Sequence, residues 1–153
     1  MQKIDFNKDW MCRCLTRDEE AYPVTLPHDA MLSEPRTQES TGEGNIGWYI
    51  GGDYEYTKNF FVPEEYKGKK VLIEFEGIYH NGEVYINGKK AAYRPYGYTN
   101  FYGGYRGHFS SMEKRMRSKS LRAMLTSQTA AGIQEPVFTV RLICMLGKKN
   151  IFR

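Results

Sequence analysis

A chain of 153 residues with 41% apolar and 26% charged residues has room for one domain with a sizeable core and the make-up of an ordinary soluble protein. No apolar run approaches membrane-spanning length and no apolar stretch follows Lys3, which excludes a secretory leader as written, so the expected location is the cytoplasm with no membrane partner. The net charge of +4 hides a split, because residues 1–102 sum to −4 and residues 103–153 to +8, an asymmetry that raises a basic tail for nucleic acid.

In chain order, the first chemistry met is Cys12 and Cys14. Residues two apart on a strand point the same way, so they are expected as reduced thiols rather than a bridge. With His28, His80 and His108 scattered, no ligand set for a metal forms, and neither metal nor cofactor is expected. Gly42-Glu43-Gly44 lacks the later Gly and the Lys-Ser/Thr of a phosphate-binding loop. Residues 54–62, 71–75 and 83–87 alternate apolar with polar and predict strands, joined by a polar connection over 63–70 and ending at an Asn87-Gly88 turn that needs positive φ. Short strands, Gly51-Gly52 and the many Tyr and Phe residues favour an antiparallel two-sheet sandwich. Glu74 and Glu76 stand on one face of a strand about 7 Å apart. Alternating glutamates read as a solvated face, so no catalytic residue is assigned. Behind residue 102 the chain changes character. Met112, Met116, Leu121, Met124 and Leu125 fall loosely at helical spacing, and residues 137–146 form an apolar, strand-like run.

Several pieces of the front part occur in one order: FNKDW at Phe6–Trp10, VTLPHD at Val24–Asp29, GWY at Gly47–Tyr49, then Phe61-Val62-Pro63, FEGIYHNGEVYINGKK at Phe75–Lys90 and PYGYTNF at Pro95–Phe101. Together they resemble the N-terminal domain of glycoside hydrolase family 2, the β-galactosidase and β-glucuronidase enzymes. The resemblance covers roughly residues 6–102, and Ala30 departs from it, standing where members usually carry tryptophan after His-Asp. It implies an all-β jelly-roll sandwich of the galactose-binding type over residues 1–102, here incomplete, with residues 103–153 as an irregular or partly helical tail. It also implies that both catalytic glutamates belong to a later (β/α)₈ barrel missing from this chain, so the fragment is expected to be inactive alone. The family's domain packs on that barrel and lends loop residues to the rim of the sugar pocket, which makes a β-galactoside or β-glucuronide the expected partner of the parent enzyme. The candidate loops are residues 26–31 and 40–49. On them Asp29, Glu43 and Asn45 can hydrogen-bond sugar hydroxyls and Trp48 can stack on a sugar face. Plainer roles compete: Asp29 as a turn cap, Trp48 as a core residue, and Glu43 and Asn45 as loop residues in contact with solvent. The PYGYT part is expected as a turn and strand start packed within the sandwich.

The family's ending is absent from residues 103–153 as written. Choosing suitable synonymous codons and reading Gly103 onward from the second base restores V-D-I-E-D-I. Reading from Met112 in the third frame restores some forty residues that include S-R-W-Y-S-G-A-G-I-Y-R. The tail is therefore expected to be a frameshifted remnant of the same domain, leaving sheet edges open and the chain poorly soluble. Two readings from other classes stay open. One is a free-standing carbohydrate-binding module. The other is a nucleic-acid-binding protein using Lys114–Arg122, although the resemblance itself implies no nucleic-acid partner.

Overall fold

The computed structural model describes residues 2–40, 43, 47–60, 70–104, 121–128 and 140–145. Its strands are β1 (Gln2–Asp5), β2 (Trp10–Cys14), β3 (Tyr22–Val24), β4 (Asp53–Phe60), β5 (Lys70–Phe75), β6 (Gly82–Ile86), β7 (Lys89–Arg94), β8 (Phe101–Gly104), β9 (Leu121–Gln128) and β10 (Val140–Met145), with one 3₁₀ turn at Ala30–Ser33. They form two sheets, one of order β1-β10-β5-β8 and one of order β3-β2-β4-β9-β6-β7, with every described pairing antiparallel. The expected all-β sandwich is the architecture found.

Alternation sets which side chains enter the space between the sheets. On β2, Trp10, Cys12 and Cys14 are buried while Met11 and Arg13 turn outward. Tyr54, Tyr56 and Phe60 of β4 join them from the same sheet, Val84 and Ile86 come from β6, and Ile73, Phe75 and Phe101 close the core from the other sheet. Phe6 and Trp10, the two aromatics of the FNKDW piece, meet edge to face, and the Trp10 indole N–H donates to the Phe6 carbonyl at 2.8 Å, so this buried donor is satisfied. Cys12 and Cys14 are buried free thiols. At the predicted turn, Ile86 pairs with Lys89 across Asn87 and Gly88, whose φ values of 51° and 76° are the two positive angles a two-residue hairpin turn requires.

The outer faces depart from expectation at Glu74. It is buried rather than solvated, with the Tyr102 hydroxyl donating to its carboxylate at 3.1 Å, while Glu76 is half-buried in the bend after β5. On the other sheet Glu55, also buried, accepts from the Arg13 guanidinium at 2.7 Å. Two turned-out carboxylates are thus covered by a neighbouring strand's long side chain, which alternation alone does not reveal.

The larger departure lies in the tail. Residues 121–128, read as part of a helical pattern, are a strand, and β9 runs in the middle of the larger sheet between β4 and β6. Every residue of β9 pairs with β4, from Asp53↔Gln128 to Phe60↔Leu121. The expected apolar strand appears as β10, which fills the gap between β1 and β5. Sheet completion outweighs a loose spacing of apolar residues, because an interior strand satisfies the backbone groups of both neighbours as well as its own. The edges of the described sheets are β1, β8, β3 and β7. The expected helix at Met112 and Met116, the connection over 61–69 and His108 lie outside the described residues.

The register also fixes which loops share an end of the sandwich. Asp53 opposes Gln128, Glu83 opposes Thr126, Gly82 opposes Arg94 and Cys14 opposes Tyr54. The segments after β2, before β4, before β6 and after β7 therefore emerge together.

Candidate functional site

At that shared end, the excursion between the 3₁₀ turn and β4 is built as a narrow loop with a tied neck. Arg36 bridges Tyr49, the Thr37 N–H donates to the Trp48 carbonyl at 2.9 Å, and the Trp48 N–H donates to the Glu43 carbonyl at 2.9 Å. Ser40 donates its N–H to Thr37 and its hydroxyl to the Tyr49 carbonyl, and Glu43 donates its N–H to Ser40. Glu43 and Trp48 both take positive φ, 47° and 66°, which turns the chain tightly enough for these bonds to close.

The neck is held by a cluster that the residue types alone did not single out. The Glu34 carboxylate accepts from the Gly51 N–H at 3.0 Å, from the Arg17 guanidinium and from the Tyr54 hydroxyl. Arg17 also donates to the Gly51 carbonyl at 2.9 Å and to Glu19 at 2.7 Å. Its burial works against the charge, but the hydrogen bonds to Glu19 and Glu34 outweigh that and raise its pKa further, so the guanidinium stays charged. Glu34 opens the loop and Gly51 ends it, so the half-buried Arg17–Glu34 pair, with both partners bonded to Gly51, joins the two ends. The only advance signal was Glu34 standing just before Pro35, which is too common a pattern to point here.

Of the expected site residues, the structure brings Glu43 and Trp48 together, both exposed, through their backbone bond. Trp48 is 41% exposed and is not a core residue, in contrast to fully buried Trp10. Asn45 lies outside the described residues. Asp29 is placed apart from the loop tip and caps the 3₁₀ turn, its carboxylate accepting from the Met31 N–H at 3.0 Å. The segment that carries it runs back along the sheet. Leu26 bonds Asn7 near one end, His28 Nδ1 lies 3.0 Å from the Tyr56 hydroxyl in the middle, and Glu34 meets Tyr54 at the other.

His28 is held neutral by burial, with Asp29 partly opposing. Tyr56 is pushed far up by burial and then by Cys12, so its phenol stays protonated beside the imidazole. Tyr22 is raised to about 12 by burial and by Cys12, whose own thiol is pushed up by burial against the hydrogen bonds of both tyrosines.

Between this segment and the loop lies a cleft of about 220 Å³, lined among others by Arg17, Tyr22, Ala30, Glu34, Ile50 and Tyr54. Ala30 is the position where the resembled family carries tryptophan, and the cleft is space beside it.

The PYGYT segment also differs from expectation. Phe101 is buried, but Tyr96 and Tyr98, with Tyr93 and Tyr102 on either side, are exposed rather than packed within the sandwich. Tyr105 and Arg106 lie outside the described residues. Among the described residues no three or more His, Cys, Asp or Glu side chains gather to hold a metal ion, and no helix is long and apolar enough to cross a membrane.

No protein-family model matches the chain. The β-galactosidase BoGH2A of Bacteroides ovatus is 36% identical over 109 residues, covering 65% of this chain and 13% of that protein. A β-galactosidase of Thermoanaerobacter pseudethanolicus is 50% identical over 107 residues, covering 64% of this chain and 14% of that protein. Among solved structures, a β-glycosidase from Bacteroides vulgatus superposes with a TM-score of 0.71 at 25% identity, over 94% of this chain and 20% of that one. The chain thus spans about an eighth of the length of the curated relatives it matches. Motifs in one order, a two-sheet sandwich and these relatives agree on the N-terminal sandwich domain of glycoside hydrolase family 2 as what this chain matches.

Proposed function

We propose that this domain packs on the catalytic barrel of a β-galactosidase-like hydrolase and contributes the loop over residues 34–51 to the rim of its sugar pocket. The parent enzyme cleaves a β-galactoside or β-glucuronide. On the loop, Trp48 stacks on the apolar face of a sugar ring while Glu43 and Asn45 accept and donate to its hydroxyls. Asp29, committed to the 3₁₀ turn, acts below the rim.

The observation that carries this reading is Trp48 itself. A tryptophan 41% exposed, at positive φ, on a loop whose neck is tied by a half-buried ion pair stands outside the core. Trp10 is fully buried, so a change in tryptophan emission on titration reports Trp48. Titration with methyl β-galactoside and methyl β-glucuronide is expected to give a saturable change that Trp48→Ala removes. Unchanged emission with both sugars rejects the reading.

The second part of the proposal is that residues 103–153 belong to the same domain, written in shifted frames. Supporting it, sequence likeness covers about two thirds of the chain whereas structural likeness covers 94% of it, as expected where strand places persist and residues do not. Resequencing the coding DNA from codon 95 past codon 153 decides this. A confirmed tail with no family-like frame beneath it rejects it.

A further inference from the structure

We infer that Tyr96 and Tyr98, backed by Tyr79 and flanked by His80 and Asn81, form a stacking platform for a second pyranose unit of an oligosaccharide whose first unit rests at Trp48. The inference depends on the sugar-rim reading above.

The first ground is position. The strand register places the roots of segments 76–81 and 95–100 at the same end of the sandwich as the root of the Trp48 loop, with β9 between β4 and β6. Two strand spacings separate the root of the Trp48 loop from that of segment 76–81 and three from that of segment 95–100, roughly 10 and 15 Å, the reach of a short oligosaccharide.

The second ground is geometry. Ring centroids run from His80 to Tyr79 at 5.1 Å, from Tyr79 to Tyr98 at 5.5 Å and from Tyr98 to Tyr96 at 5.6 Å. The two tyrosine contacts are tilted by 52° and 61°, so the rings are not stacked face to face on one another. Tyr96 and Tyr98 are 59% and 49% exposed.

The third ground is rigidity. The Asn81 N–H donates to the Pro95 carbonyl at 3.2 Å, and the Tyr93 hydroxyl donates to the Asn81 side chain at 3.1 Å. Gly97 lies so close to Tyr79 that a Cβ there would stand 2.7 Å from both its Cα and its ring. Aromatic rings exposed on a pinned support keep their apolar faces in water, a cost that a stacking ligand relieves.

The ligand class follows from chemistry. Residues 79–81 and 95–100 contain no Lys or Arg to meet phosphate, which disfavours nucleic acid. A pyranose offers one flat C–H face of ring size and a rim of hydroxyls, and phenol, amide and imidazole edges here can bond that rim.

The test uses the full 153-residue chain with methyl β-galactoside and β-1,4-galactotriose as probes, reading affinity by calorimetry and ring contact by saturation-transfer NMR. The triose is expected to bind about tenfold more tightly than the monosaccharide, the scale of one stacked ring. Tyr96→Ala and Tyr98→Ala should remove that advantage and leave monosaccharide binding intact. Tyr98→Phe, which keeps the ring and the packing on Tyr79, should retain it. Triose binding indifferent to all three changes overturns the platform while the Trp48 reading stands. Triose binding that survives Trp48→Ala but is lost in Tyr98→Ala upholds the platform and overturns the Trp48 reading. Failure of a chain with a folded circular dichroism spectrum to bind either sugar overturns both.

Discussion

Ala30 is buried and lines the cleft beside Tyr22, Glu34 and Tyr54, where the family carries an indole. Filling existing space with apolar surface stabilises without requiring the core to move, typically by about 0.5–2 kcal/mol. Ala30→Trp is therefore expected to raise the midpoint of thermal unfolding by several degrees, on the scale of about 2–4 °C per kcal/mol. A lower midpoint would mean that the cleft cannot take the ring. His28 makes the opposite kind of residue-scale statement. Its folded pKa is depressed by burial, so the unfolded chain binds a proton first as pH falls. Stability should be flat above the ordinary histidine range near 6.5 and decline below it until the folded pKa is passed. Denaturant midpoints at pH 7.5 and pH 5 should differ in the native chain and differ less in His28→Gln, beyond the background of the other titrating groups.

At the scale of elements, the loop over 34–51 is set by what ties its neck. The Glu34 side chain is 6% exposed and that of Arg17 28% exposed, so solvent screens their pair little. Glu34→Ala would take the acceptor from the Gly51 N–H and the Tyr54 hydroxyl, while Glu19 and the Gly51 carbonyl still hold Arg17. A loss of about 2–3 kcal/mol is expected, less than for breaking a fully buried pair because Arg17 keeps these partners. Amide exchange should speed up through residues 36–50 more than in β4. Uniform acceleration in both would show that the tie supports the whole sandwich and not the loop. None of this was readable in advance, because Arg17, Glu34 and Gly51 are far apart in the chain and ordinary in type. The cap at Asp29 was readable, since an Asx side chain reaches its own backbone two residues on.

For the whole molecule, the decisive feature is that two late strands are interior. β9 is paired on both sides by β4 and β6, and β10 by β1 and β5. A chain ending after Gly104 would leave four strands with unpaired backbone edges facing a gap. It is expected to lose cooperative thermal unfolding and to sediment as large species where the full chain does not. A sharp, reversible monomer transition for the shortened chain would contradict this. The same placement removes the open edges expected from the tail's unfamiliar sequence.

The sequence by itself determined what short stretches of chain dictate. Period-two alternation placed the strands at residues 54, 71 and 83, Asn87-Gly88 set its turn through positive φ, and Cys12 and Cys14 were placed side by side on one face. The order of family pieces supplied the architecture those strands join. Tertiary structure alone decided that residues 121–128 are a strand, that Glu74 is buried, that Trp48 and the Tyr96–Tyr98 rings stand exposed, and that Arg17 closes a loop far along the chain. The reason is physical. Backbone angles and alternation depend on neighbours a few residues away, whereas burial, pairing and loop closure depend on which distant segment comes to cover or partner a group.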